Sequence, residues 1–233
     1  MRVDGEQGYI LHTHAYRETS LLVEVFTLHR GRVSLVARGA RRPHSAIRAR
    51  LLAFQPLWLS WFGKGGLRTL HAAEWQGDGG SLSGAALMCG FYLNELLLRL
   101  LPQDDPHEGL YGHYAQALRD LADGAEAEPV LRRFELALLS ELGYAQTLTH
   151  VAGSGEAVRP AGHYGYVLER GVVVDPEAGP VFAGRTLLAM AAGDYSDPRT
   201  LAEGKLLMRL LLAHYLGDKP LATRQLLVDL QRI

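Results

Sequence analysis

Along the first 75 residues the apolar positions come in short blocks or alternate with polar ones. Near residue 80 the spacing changes to that of helices. The blocks are bounded by glycine and polar turns and predict strands at 8–13, 20–28, 32–37, 55–62 and 67–74. Pro56 puts the fourth at an edge or at a strand start, and Gly63-Lys64-Gly65-Gly66 ends it. From Trp75 to Ser83 the chain is a polar, glycine-rich break. From its end, apolar residues at helical spacing predict helices at 82–101, 107–123, 129–142, 186–192, 198–216 and 223–230. Pro129 suits a first turn and Gly143 a helix end. Between 144 and 180 the pattern is irregular, with a hairpin expected from 164–168 and 172–174 through Glu169-Arg170-Gly171.

The expected fold class is therefore α+β. A small N-terminal domain at 1–80 precedes a mainly helical domain at 81–233, which carries a minor β-hairpin in an irregular insertion at about 144–180. Five short strands with glycine turns fit a five-stranded β-barrel of the oligonucleotide-binding (OB) type. Strand count alone does not separate that barrel from other small ones. Leu87, Phe91, Leu97, Leu98 and Leu101 nearly encircle the first helix, as in the centre of a bundle. Asn94 and Glu95, in its middle, read as satisfied structural contacts.

Charge changes this picture. The whole chain of 233 residues has a formal net charge of -1. Yet residues 1–80 carry 11 Lys and Arg against 6 Asp and Glu, while 81–233 carry 13 against 19. The basic excess is concentrated between His29 and Arg50, where Arg30, Arg32, Arg38, Arg41, Arg42, Arg48 and Arg50 occur with no carboxylate. Guanidinium groups suit bidentate contact with phosphate, and crowded like charges call for a counter-ion. A nucleic-acid backbone meets both conditions. A solvated, solubilising loop would have the same composition. Tyr9, Tyr16, Phe54, Trp58, Trp61 and Phe62 are candidate stacking groups for bases, though a share of them must pack the core instead.

Signals for catalysis are weak. There is no His-Glu-x-x-His and no phosphate loop ending Gly-Lys-Ser/Thr. Gly153-Ser154-Gly155 lacks the full five-residue nucleophile pattern. The histidines are scattered, and the one cysteine, Cys89, lies in an apolar run where a buried inert thiol is expected. No catalytic residue, metal or cofactor is assigned. The start has no apolar signal core, and no stretch is apolar for long enough to span a bilayer, so a cytoplasmic location is expected.

Four stretches then carry a resemblance. They are Ala15-Tyr16-Arg17-Glu18-Thr19-Ser20-Leu21-Leu22; Ala37-Arg38-Gly39-Ala40-Arg41-Arg42; Leu131-Arg132-Arg133-Phe134-Glu135-Leu136 with Leu142-Gly143-Tyr144; and Leu216-Gly217-Asp218-Lys219-Pro220-Leu221. In that order and spacing the chain resembles the RecO family of bacterial recombination mediators, over essentially its whole length. The resemblance implies an OB barrel and a helical domain, binding of single- and double-stranded DNA, and annealing of complementary strands. It implies engagement of the C-terminal tail of single-stranded DNA-binding protein (SSB), work with RecR, and help in loading RecA. It implies a bacterial, cytoplasmic protein that joins the nucleoid during repair. Arg38, Arg41 and Arg42 match the family's basic motif, so phosphate contact carries over to them. Arg30, Arg32, Arg48 and Arg50 would widen the path. Arg132 or Arg133 is the candidate at the mouth of an apolar groove for the acidic tail. Many members hold zinc on four cysteines after the Leu-Gly-Tyr stretch; this chain has none there and resembles the zinc-free branch. An adaptor whose barrel never touches DNA, and a nucleic-acid-processing enzyme, remain the competing readings.

Overall fold

The structure, a computed structural model, describes residues 2–223 apart from Asp78, Gly79, Gln146, Asp175, Glu177 and Asp218. By internal packing it divides into two units, one reaching Ala125 and joined by the segment from Pro220, the other Glu126–Lys219.

The first unit is built on a long strand, β1 (Arg2–Tyr16), with two partners. Its first half pairs with β4 (Pro56–Phe62) and its second half with β2 (Ser20–Thr27), both antiparallel. Gly5 at φ 63° and register shifts between Val3 and Glu6 and between Ile10 and His12 let one strand serve both. The pattern had marked only 8–13, because Asp4, Glu6 and Gln7 break the apolar alternation. β3 (Gly31–Ala37) pairs with β2, and β5 (Leu67–Trp75) pairs with β4. Between β3 and β4 along the chain lies a one-turn helix, α1 (Ala46–Arg50), which the sequence pattern does not mark. It is five residues long with one large apolar residue, Ile47, too short to show a period.

The expected fold class is corrected by this pairing. The N-terminal part is a mixed sheet in the order β1-β2-β3-β5-β4, with β4 also on β1. Its β3–β5 side is a short parallel seam, Ser34–Leu67, Leu35–Arg68 and Val36–Thr69, and the other pairings are antiparallel. The later part is helical, but it carries a three-stranded sheet where a minor hairpin was expected. There β6 (His163–Val167), β7 (Gly171–Val173) and β8 (Phe182–Ala183) form a three-stranded sheet with β6 in the middle. The two-residue β8 was invisible to a periodicity argument, which needs several residues to count.

Helices α2 (Gly84–Leu100) and α3 (Glu108–Ala122) pack within the first unit. Tyr9 and Phe26 of the sheet meet Tyr111 and Tyr114 of α3, with ring centroids 5.2 to 6.0 Å apart. Edge and tilted contacts of this kind add to the area they bury. The expected bundle centre is thus a helix laid on a sheet, and it leaves Phe91 exposed at one side. Cys89 is half-buried rather than buried, and burial pushes its thiol up.

Asn94 is the polar pin of α2. Its amide donates to the Leu11 carbonyl at 2.8 Å and its oxygen accepts from the Tyr114 hydroxyl at 2.5 Å. Burial pushes the Tyr114 phenol well up, so it stays a donor. Glu95, the next residue, accepts from the Ala222 and Thr223 amides and from the Thr223 hydroxyl. Burial alone would raise the Glu95 carboxyl. The bonds from Thr223 and Ala222, with Arg99 nearby, outweigh it and hold the carboxyl below its ordinary value.

In the second unit, α4 (Ala127–Glu141) and α5 (Gly184–Ala191) both pack on α6 (Pro198–Leu216), and α5 also meets β8. Asp197 caps α6 by accepting from the Arg199 amide, with Pro198 at the first position. The helix expected at 223–230 lies, beyond Thr223, outside the described residues.

Asn94→Ala removes one partner from each of two buried groups and should lower the unfolding free energy by about 2 kcal/mol in urea titration. Tyr114→Phe should lower it by about 1 kcal/mol. Because the folded Glu95 value is depressed, its contribution is present at neutral pH and is lost as pH falls through that value. The exchange protection of the Ala222 and Thr223 amides should therefore drop below pH 4.5. In Glu95→Gln that pH step should be absent.

Candidate nucleic-acid interface

Arginines crowded into one segment stay near a sheet only if other parts of the segment are held. The first hold is the β2–β3 turn at His29-Arg30-Gly31. Gly31 has φ 65°, and a Cβ there would stand 1.9 Å from the Asp105 carbonyl oxygen. Only glycine allows that approach. Asp104 then donates its amide to the Arg32 carbonyl at 2.9 Å. Arg30 is exposed at the edge of a cavity of about 170 Å³, lined also by His29, Trp61, Arg68, Asp104 and Pro106. Arg68 there is paired with Asp104 at 2.7 Å.

Arg32 is turned inward. It bonds Glu24 at 3.0 Å and the Leu101 carbonyl at 3.0 Å, while Ser34 donates to the other Glu24 oxygen at 2.7 Å. A carboxylate that is 9% exposed needs such partners. Alternation along β3 puts Arg32 and Ser34 on the side of the sheet that carries Glu24, and the sequence could not say which side that was.

The second hold is the loop after β3. Ala40 is fully buried in the sheet core, where Leu51 is also buried and Ile47 is packed. Between these points and the buried Ala37 stand the exposed Arg38, Arg41 and Arg42. Gly39 at φ 70° turns the chain, and Arg42 donates its amide back to the Gly39 carbonyl at 3.0 Å. The Arg41 amide donates to the Thr19 carbonyl at 2.9 Å, and its guanidinium reaches the carbonyls of Arg17 and Glu18. The loop is thus tied to the β1–β2 turn. Arg48 and Arg50 follow in the last turn of α1, both exposed. Arg50 also donates to the Ala73 carbonyl at 3.2 Å.

Of the aromatic residues singled out above, Tyr9, Phe54 and Trp61 are buried and belong to packing. Tyr16 is half-buried under Arg17, whose guanidinium lies 5.3 Å from the ring centre. Trp58 and Phe62 are exposed on β4. His12 and His14 stand with ring centroids 4.1 Å apart, and among the described residues no group of three or more metal-ligating side chains occurs. The Ser154 hydroxyl accepts the Glu156 amide in an ordinary turn.

In the other unit, Arg132 pairs with Glu135 at 2.6 Å, and that carboxylate is fully buried. Arg132 itself keeps a 12% exposed side chain, and its Nε is buried with no hydrogen-bond partner among the described residues. Arg133 is exposed and donates to the Gly193 carbonyl at 2.9 Å. Tyr195 lies close by. Burial, and then Glu135, push its phenol up to about 12 against the opposing influence of Arg132 and Arg133. The sequence could not separate the two arginines. On a helix, neighbouring positions point about 100° apart, and only packing decides which one turns inward.

Arg132→Ala withdraws the counter-charge of a buried carboxylate and should destabilise the fold by about 3 kcal/mol. Arg133→Ala should change it by less than about 1 kcal/mol. Chemical denaturation of both variants separates these outcomes.

With the geometry in view, comparison with known proteins places the chain. Residues 1–77 match the family model described as Recombination protein O N terminal, and residues 82–225 match Recombination protein O C terminal. The chain is 52% identical over 236 residues to the DNA repair protein RecO of Nitrosospira multiformis, covering 100% of this chain and 98% of that one. It is 53% identical over 235 residues to the DNA repair protein RecO of Azoarcus sp. strain BH72, covering 98% of this chain and 97% of that one. The chain belongs to the RecO family of DNA repair proteins.

Proposed function

We propose that this chain is a non-enzymatic recombination mediator that binds single- and double-stranded DNA through its arginine stretch and anneals complementary strands. It works in the bacterial cytoplasm, engages the acidic tail of SSB, and acts with RecR to help load RecA. The observation that carries this reading is the exposure of Arg38, Arg41 and Arg42 on a loop held by Ala40 and by the Thr19 carbonyl. Arg30, Arg48 and Arg50 extend the same charge, and Arg32 supports it from within. The family membership, and relatives described as DNA repair proteins, point the same way.

The physics is simple. Two single strands repel through their phosphates. A row of guanidiniums lowers that repulsion and concentrates strands locally. Base readout is not required, since the strands test complementarity by pairing with each other. No helix among the described residues is long and apolar enough to cross a membrane. For the SSB tail, Arg133 is the exposed cation of the pair, while Arg132 is engaged by Glu135.

The test is a salt-titrated binding and annealing assay. Arg38→Ala/Arg41→Ala/Arg42→Ala should weaken DNA binding about equally for different base sequences. It should make the salt dependence shallower by about 2 in the log–log slope for single strands and about 3 for duplex, three phosphate contacts being lost. Unchanged binding with an intact fold would instead favour an adaptor that does not touch DNA. Calorimetry with an acidic tail peptide should show weaker binding for Arg133→Ala, with DNA affinity unaltered.

A further inference from the structure

Trp75 is the most exposed large aromatic residue of the described chain, at 55%. It ends β5 and was not among the aromatic groups the sequence singled out, because it opens a polar, glycine-rich break. Its indole N–H donates to the Arg50 carbonyl at 3.3 Å, and the Arg50 guanidinium donates to the Ala73 carbonyl at 3.2 Å. The two bonds form a reciprocal clip between the end of α1 and the end of β5. Immediately after it, the Gln76 amide donates to the Pro56 carbonyl and its side chain to the Leu57 carbonyl, both at 3.0 Å. The ring is thus fixed at its edge and by the backbone on either side, while much of its surface faces solvent.

Water gains nothing from a rigid exposed indole. A flat ligand does, because little freedom is lost when it stacks on a ring already in place. The charge around the ring narrows the class of ligand. The Arg50 guanidinium is held at the Ala73 carbonyl, two residues before the ring, and Arg48 is exposed in the same last turn of α1. The other exposed tryptophan differs. Trp58 stands opposite Glu74 in the strand register, so a carboxylate shares its face of the sheet. Along β5, Glu74 and Trp75 alternate to opposite faces, which keeps that carboxylate away from the Trp75 ring. A polyanion with planar groups fits the Trp75 site and is disfavoured at Trp58.

We propose that Trp75 is a stacking platform for an unpaired base of a single strand whose phosphates lie along Arg48 and Arg50. The inference rests on the arginine stretch binding polynucleotide, and it adds a contact that duplex DNA, with its bases stacked and paired, does not make. Aromatic faces accept any base, so the contact favours single strands without sequence preference.

The test uses the full chain with three probes: a labelled oligothymidylate, an abasic strand of the same length, and a duplex. Trp75→Leu should weaken oligothymidylate binding about tenfold, the loss of one base–aromatic stack. It should leave the abasic strand and the duplex unchanged. Trp75→Phe keeps a ring but loses the bond to Arg50, and should retain most of the affinity. Equal losses in the leucine and phenylalanine variants would show that the clip, not the stack, matters, and would overturn the proposal. So would a loss on the abasic strand as large as that on oligothymidylate. Unchanged affinity for all three probes would reject a base as the occupant and leave an apolar protein surface in its place. If the wild-type chain binds none of the probes, the DNA-binding reading itself fails, which is a separate result.

Discussion

Seven guanidinium groups within 21 residues repel one another, and such a segment would leave the protein surface unless something in it were buried. Here the anchoring is apolar. Ala37 and Ala40 lie inside the sheet core, Leu51 closes the segment there, and Ile47 packs from α1. The two alanine methyls are small, and burial at about 25 cal/mol per Å² is modest for each, while Leu51 and Ile47 add larger side chains. The anchors nevertheless alternate with the arginines, so every cation sits within a few residues of a fixed point. Positive charge is thereby held in place without carboxylates, which would have neutralised it.

Where a carboxylate does enter, it acts inside. Glu24 takes Arg32 and Ser34, and Glu135 takes Arg132. Both pairs are largely removed from water, where an unpaired charge is costly and a paired one is held tightly. The same residue type thus does two jobs in this chain. Arg32 and Arg132 fix structure, while Arg38, Arg41, Arg42, Arg48 and Arg133 present charge to the outside. Exposure and partners, rather than residue identity, separate them.

The polar contacts of α2 show a related economy. Asn94 links the helix to β1 and to α3, and Glu95 on the next position receives the returning segment at Ala222 and Thr223. Adjacent residues on a helix point in different directions, so two neighbours reach two different parts of the chain. These contacts make the helix part of the unit that holds the arginine stretch. A spacing that encircles a helix with leucines says that it is covered, and does not say by what.

Much was legible from the chain alone: five strands and most of the helices, the change of period near residue 80, the basic segment, and the family. Those features are local or compositional. Strand and helix periods repeat within a few residues, and charge clusters need no partner to be seen. What the folded chain decided was every question of direction. The β3–β5 parallel seam joins segments some thirty residues apart, α1 and β8 are too short to carry a period, and β1 serves two partners across polar residues. Arg32 faces Glu24 across the β2–β3 hairpin, Arg132 reaches Glu135 one turn along α4 and is packed inward with it, and Trp75 is clipped to Arg50 from another segment. Sequence spacing fixes how side chains are arranged relative to their neighbours in the chain. Which of them meets solvent is set by the packing of segments far apart in it.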